Sequence, residues 1–208
     1  MDYLKEPDAI YQASFAAIAA STDFDSVPPV LHPIITRLIH SCGMPEILEN
    51  LAWSDDPVTA AQNALTSGAA VLVDATMVAA GITERYLPKG NRIVCTLNDS
   101  DTRKRAERKK TTRSAAAVDL WIPHLDGAVI AIGNAPTALF RLLELLNQSE
   151  TRRPAAIFAF PVGFVGATES KDALINADLG IPYLTLKGRQ GGSAFAAAAI
   201  NSIALGGQ

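Results

Sequence analysis

His40 stands in the last turn of a predicted helix, one turn after Arg37 and just before Gly43, in a chain of 208 residues with only three histidines. A helix C-terminus favours imidazolium, whereas a guanidinium at i−3 on the same face disfavours it. Neutralising Arg37 with a bound carboxylate would leave the first effect unopposed, so the pair is suited to general-acid work on an anionic ligand. Cys42 invites a Cys–His reading, but residues two apart on a helix do not face one another. His32 precedes Pro33 and His124 follows Pro123. Both fall at element boundaries, where an imidazole needs no chemical role.

A second set of residues is suited to holding anions. GNAPT, PVGFVGATES and GRQGGS each follow a predicted strand and lead into a helix. Gly133, Gly163, Gly166, Gly191 and Gly192 let backbone approach a ligand closely, and Asn134 adds a polar side chain. Free backbone N–H groups at the following helix N-termini suit carboxylate or phosphate. The same glycines would also serve plain tight turns. No loop matches GxGxxG or the P-loop pattern, which argues against a nucleotide. RKRAERKKTTR, from Arg103 to Arg113, holds seven of the 18 basic residues. Arg103–Lys110 fits either a solvated, mobile surface or an electrostatic approach path for a polyanion. Arg113 opens an apolar helix, where a cation is disfavoured unless an anion compensates it.

The elements that must position these groups alternate along the chain. Helices are predicted over 7–20, 33–42, 57–67, 111–125, 136–148, from Thr168, and over 193–205; strands over 70–73, 91–97, 127–133, 155–160 and 182–187. GAVIAIG is apolar throughout and bounded by glycines, the pattern of a strand covered on both faces. The series implies a single α/β domain over 1–208: three layers, with a mostly parallel sheet and helices on both faces. Ligands in such sheets gather at the carboxyl edge of the strands.

Composition bounds the partners. With 49% hydrophobic residues and a formal charge of −3, the chain supports a substantial core and does not read as a general nucleic-acid binder. Cys42 and Cys95 form neither a metal-type spacing nor a disulfide framework, and MDYLKEPDAIY lacks a signal-peptide pattern, so a cytoplasmic location is expected. No apolar run approaches the ~20 residues that cross a bilayer.

IHSCG around His40, TTRSAAA around Arg113, AIGNAPTALF, PVGFVGATESK and GRQGGSAFAAAAINS together closely resemble the precorrin-8X methylmutase family of cobalamin biosynthesis. The opening DAIYQASF also looks like that family's N-terminal segment, so the resemblance covers nearly the whole chain. It implies a cofactor-independent isomerase, with no metal of its own, that moves a methyl group from C-11 to C-12 of the macrocycle to give hydrogenobyrinate. It places the catalytic histidine at His40 and substrate contacts at Ser14 and Arg37. It further implies a homodimer with active sites at the interface. The substrate is then the carboxylate-fringed precorrin, metal-free or cobalt-containing, and the product a corrinoid, released or handed over to another pathway enzyme. Arg103–Lys110 is more basic than the family pattern suggests, which fits a flexible lid or a surface contact with such an enzyme. A non-catalytic corrinoid-binding protein would use the same loops.

Overall fold

Strands β1 (Leu51–Ser54), β2 (Val71–Val73), β3 (Ile93–Val94), β4 (Val129–Ile132), β5 (Ala156–Ala159) and β6 (Tyr183–Leu186) form one sheet in the order β1-β6-β5-β4-β2-β3. The computed structural model describes residues 1, 3–148 and 152–206. β2 to β6 pair in parallel, and β1 runs antiparallel on the outer edge of β6, with Leu51 opposite Leu186 and Ser54 opposite Tyr183. The chain leaves β2 toward one edge to make β3 and returns to the other side of β2 to make β4. The carboxyl ends of β2 and β4 therefore flank the topological switch point of a doubly wound sheet.

Helices cover both faces. Alternate residues of the central strands enter opposite cores: Val71, Val73, Val129, Ala131 and Phe158 face one side, and Leu72, Ile130, Ile132, Ile157 and Ala159 the other. The first face is covered by α2 (His32–Cys42), α3 (Pro57–Thr66), α4 (Thr76–Gly81) and α9 (Ser193–Ala204), with α1 (Pro7–Ser21) laid on α2. The second is covered by α6 (Arg113–Val118), α7 (Pro136–Leu146) and α8 (Ala167–Asn176), with α5 (Ser100–Lys109) packed on α6. β4 and β5 are wholly buried, as expected of apolar strands covered on both sides.

Three sequence expectations need correction. Residues 103–110 are exposed for the most part, as a solvated surface would be, but Arg103–Lys109 lie in the helix α5, which buries Thr102 and Ala106 and sends Lys109 and Arg105 to the carboxylate of Asp119. The predicted strand 91–97 shrinks to two residues, because Thr96 turns its hydroxyl to the Ala117 carbonyl and gives its own carbonyl to Thr102. The predicted helix 111–125 ends at Val118 and tightens into a 3₁₀ segment, Asp119–His124, that contains Pro123. β1 was not expected at all.

Candidate active site

His40 meets α1 rather than solvent alone. Glu6 caps α1, accepting from the amides of Asp8 and Ala9, and Pro7 occupies its first turn. Tyr11, Ser14 and Phe15, at i, i+3 and i+4, then share one face. Ser14 Oγ lies 2.9 Å from His40 Nδ1. The Phe15 ring stands edge-on to the imidazole at 5.4 Å, with Tyr11 at 6.2 Å. One turn back on α2, the Arg37 guanidinium carbon lies 5.7 Å from the Tyr11 ring centre and 5.6 Å from that of Phe15. The pair can form in either sense: where Ser14 donates to Nδ1, the ring's proton is on Nε2, and the residue is exposed in the single chain.

The helix ends as the sequence predicts. Gly43 adopts φ 72° and its amide bonds to the Ile39 carbonyl at 2.7 Å, the left-handed stop that glycine favours. Cys42 gives its thiol to the Ile39 carbonyl at 3.5 Å, and burial pushes its pKa up. A thiol in that state is a poor nucleophile.

Met44, just past α2, brings this end of the helix to the carboxyl edge of the sheet. It lines an open pocket of about 270 Å³ with Val162, Gly163 and Phe164 from the β5–α8 loop, Arg189 and Gly191 from the β6–α9 connection and Phe195 of α9. Two of the three predicted glycine loops thus meet in this pocket; His40, four residues before Met44 in the chain, does not line it. The Arg189 guanidinium stacks 5.3 Å from the Phe164 ring centre, giving the rim a cation and an exposed apolar surface.

The third loop behaves differently. Asp74, immediately after β2 at the switch point, is buried and accepts from the amides of Gly133 at 2.9 Å, Asn134 at 3.0 Å and Ala135 at 2.7 Å. Burial pushes the pKa of Asp74 up against the pull of these three bonds. The expected free N–H groups at Gly133 and Asn134 are therefore occupied by the protein's own carboxylate, although the Asn134 side chain remains exposed. Gly133 is needed for packing, since a Cβ there would fall 2.8 Å from Ser193 Cα. Gly192 likewise spends its amide on the Phe160 carbonyl, at 2.8 Å. Gly166 has φ 79° at the start of α8, where a Cβ would crowd Pro136.

Arg113 does not join the pocket of Gly163 and Gly191. It is exposed at the start of α6, behind the capping Thr112, whose hydroxyl pairs with Thr137 on α7 at 2.8 Å. It lines a hollow of about 500 Å³ with Asn98, Asp99, Ser100 and Arg103 at the end of β3. Residues with no forecast role also stand at this edge: Asp74, Phe164 and Arg189, with Lys171 bonded to the Gln190 carbonyl beneath them. Among the described residues no cluster of three or more His, Cys, Asp or Glu could hold a metal ion, and no helix is long and apolar enough to cross a membrane.

The sequence model of the family described as precorrin-8X methylmutase matches residues 9–205. The chain belongs to that family. It is 48% identical to the precorrin-8X methylmutase of Pseudomonas aeruginosa, over 98% of both chains. Against the cobalt-precorrin-8 methylmutase of Priestia megaterium it is 35% identical, over 96% of this chain and 88% of that one. A crystal structure of precorrin-8X methylmutase from Thermus thermophilus superposes with a TM-score of 0.85 at 35% identity, covering 95% of this chain and 94% of the other. Family membership makes the protein an enzyme, a methylmutase of the isomerase class in cobalamin biosynthesis. The reading as a non-catalytic corrinoid binder finds no support.

Proposed function

We propose that the protein moves the methyl group of precorrin-8X from C-11 to C-12, giving hydrogenobyrinate, with His40 as the acid that assists the shift. The observation that carries this reading is the Ser14–His40 pair, 2.9 Å apart and bracketed by aromatic rings and Arg37. The reaction is an isomerisation, so the bond to C-11 breaks as the bond to C-12 forms, and no atom is gained or lost. What the enzyme adds is stabilisation of the rearranging conjugation. Nε2–H supplies a hydrogen bond or proton to a ring nitrogen, and the proton returns when the product forms.

The periphery of the macrocycle is carboxylate, and cations answer it. Arg37 lies beside His40, Arg189 on the pocket rim, and Arg113 farther along the same edge of the sheet. Gly163 lines the pocket with open space where a Cβ would stand, and the Asn134 side chain is exposed. The metal-free substrate is favoured over its cobalt form by the higher identity to precorrin-8X methylmutases, 48% against 35%. A second copy of the chain completes the site, because the pocket in one chain is open and the imidazole exposed. The free thiols of Cys42 and Cys95 suit a reducing, cytoplasmic compartment.

The test is spectral. Purified protein should convert precorrin-8X to the absorbance of hydrogenobyrinate, and His40→Ala should lose about 10²-fold or more in turnover while still binding the corrinoid. Equal turnover in the variant would remove His40 from the mechanism.

A further inference from the structure

Lys171 is a fully buried cation that the mechanism does not use. It lies on α8, and its Nζ donates to the Gln190 carbonyl at 2.6 Å. Among the described residues no carboxylate is within ion-pair distance of it. A buried ammonium without a counter-charge is costly to keep, and burial brings its pKa down to about 8. Leucine or methionine would fill the same space without that cost.

The position of Gln190 supplies the reason. The loop from Gly188 to Gly192 forms one wall of the pocket beside Met44 and Phe195. Its backbone is tied on both sides: Gly163 donates to the Arg189 carbonyl at 3.2 Å and Gly192 to the Phe160 carbonyl at 2.8 Å. Gly191 presses on the Phe160 backbone so closely that no Cβ could be accommodated. Between these ties, the bond that draws the Gln190 carbonyl inward comes from Lys171, and the side chains of Arg189 and Gln190 stay exposed.

We propose that Lys171 is a positioning residue for substrate binding, pinning the 188–192 loop from beneath and lending positive charge to a pocket wall that receives a polycarboxylate. This rests on the reading of that pocket as part of the macrocycle site. The coupling is reciprocal: a bound polyanion favours the ammonium, and the ammonium favours the polyanion. Lys171 itself does not touch substrate.

The experiment compares wild type with Lys171→Met and Lys171→Gln by thermal melting, amide exchange of residues 188–192, absorbance titration with hydrogenobyrinate, and steady-state kinetics. Lys171→Met should stay folded, exchange faster in that loop, bind the corrinoid about tenfold more weakly and raise KM with kcat within about threefold, because His40 is untouched. Lys171→Gln, which keeps a donor without the charge, should recover loop protection but not full affinity. Unchanged exchange and affinity in a folded variant would overturn the proposal, as would affinity lost only in proportion to folding. If Lys171→Met does not fold, Lys171→Gln decides by the same readouts. Wild-type protein that neither binds nor converts the macrocycle would sink the substrate reading, while loop exchange would still judge the pin.

Discussion

On the proposed role of His40, an imidazole delivering a proton from Nε2 depends on what holds Nδ1, and here the Ser14 hydroxyl lies beside that nitrogen. Ser14→Ala leaves Nδ1 without its partner 2.9 Å away, so the ring turns more freely about the Phe15 edge and both tautomers become populated. The expected result is a fall in kcat of about tenfold, with hydrogenobyrinate affinity within about threefold of wild type. Steady-state rates set against an absorbance titration separate the two; equal losses in both would assign Ser14 to binding instead. His40 stood out in the sequence as a candidate because Arg37 and Gly43 are its neighbours in the chain, while the ring's contacts with Ser14 and Phe15 come from α1. Ser14 was indicated only by family resemblance, since its partner lies 26 residues away. Asp74 and Lys171 gave no signal of their own: each matters through the backbone atoms it touches, on loops 59 and 19 residues distant.

The helices on the second face are joined by charge as well as by packing. Asp119, with a side chain only 4% exposed, accepts from Lys109 of α5 at 2.6 Å and Arg141 of α7 at 2.7 Å, with Arg105 at 3.9 Å. Burial pushes its pKa up, but the bonds from Lys109 and Arg141 outweigh burial and hold the pKa below the ordinary value of 3.8. A carboxyl depressed in the folded state adds stability above its unfolded pKa and loses it as pH falls through the folded one. Asp119→Ala should therefore cost about 2 kcal/mol at pH 7, and the gap to wild type should close as pH falls below 3.8. Urea unfolding across that range measures it; a gap independent of pH would mean that packing, not charge, was lost. This cluster is why the basic run misleads as sequence. Arg103, Lys104, Arg108 and Lys110 are exposed as they read, but Arg105 and Lys109 meet Asp119, ten residues past Lys109. The alternation of helix and strand was legible because β4 and β5 are buried on both faces and uniformly apolar, and α2 and α7 carry clear apolar stripes. β1 was not: a four-residue, half-buried edge strand has too little periodicity, and only its pairing with β6 makes it a strand. The glycine loops were correctly placed at the carboxyl edge. Their hydrogen bonds were not legible, because the acceptors Asp74 and Phe160 come from other strands.

At the scale of the whole molecule, the site looks unfinished in one chain. The pocket beside Met44 holds about 270 Å³, below the ~300 Å³ at which pockets begin to enclose a drug-sized ligand, and a precorrin is larger than that. Around it the chain leaves Phe164 85% and Val165 89% exposed, an uncommon use of adjacent large apolar side chains on a surface that only water would cover. A second protomer laid on the β5–α8 loop would bury both residues and roof the pocket, excluding water from the imidazole as the methyl moves. Activity should then depend on assembly. Turnover per mole should fall as the protein is diluted through its dimer dissociation constant. Val165→Asp, which puts a charge on the proposed contact without touching His40, Ser14 or Arg37, should sediment as a 22.0 kDa monomer and lose most of its turnover at the same concentration. Raising its concentration should recover part of the rate, because mass action opposes the weakened contact. A folded Val165→Asp monomer with the wild-type rate would show that one chain is sufficient and that Phe164 and Val165 serve some other purpose.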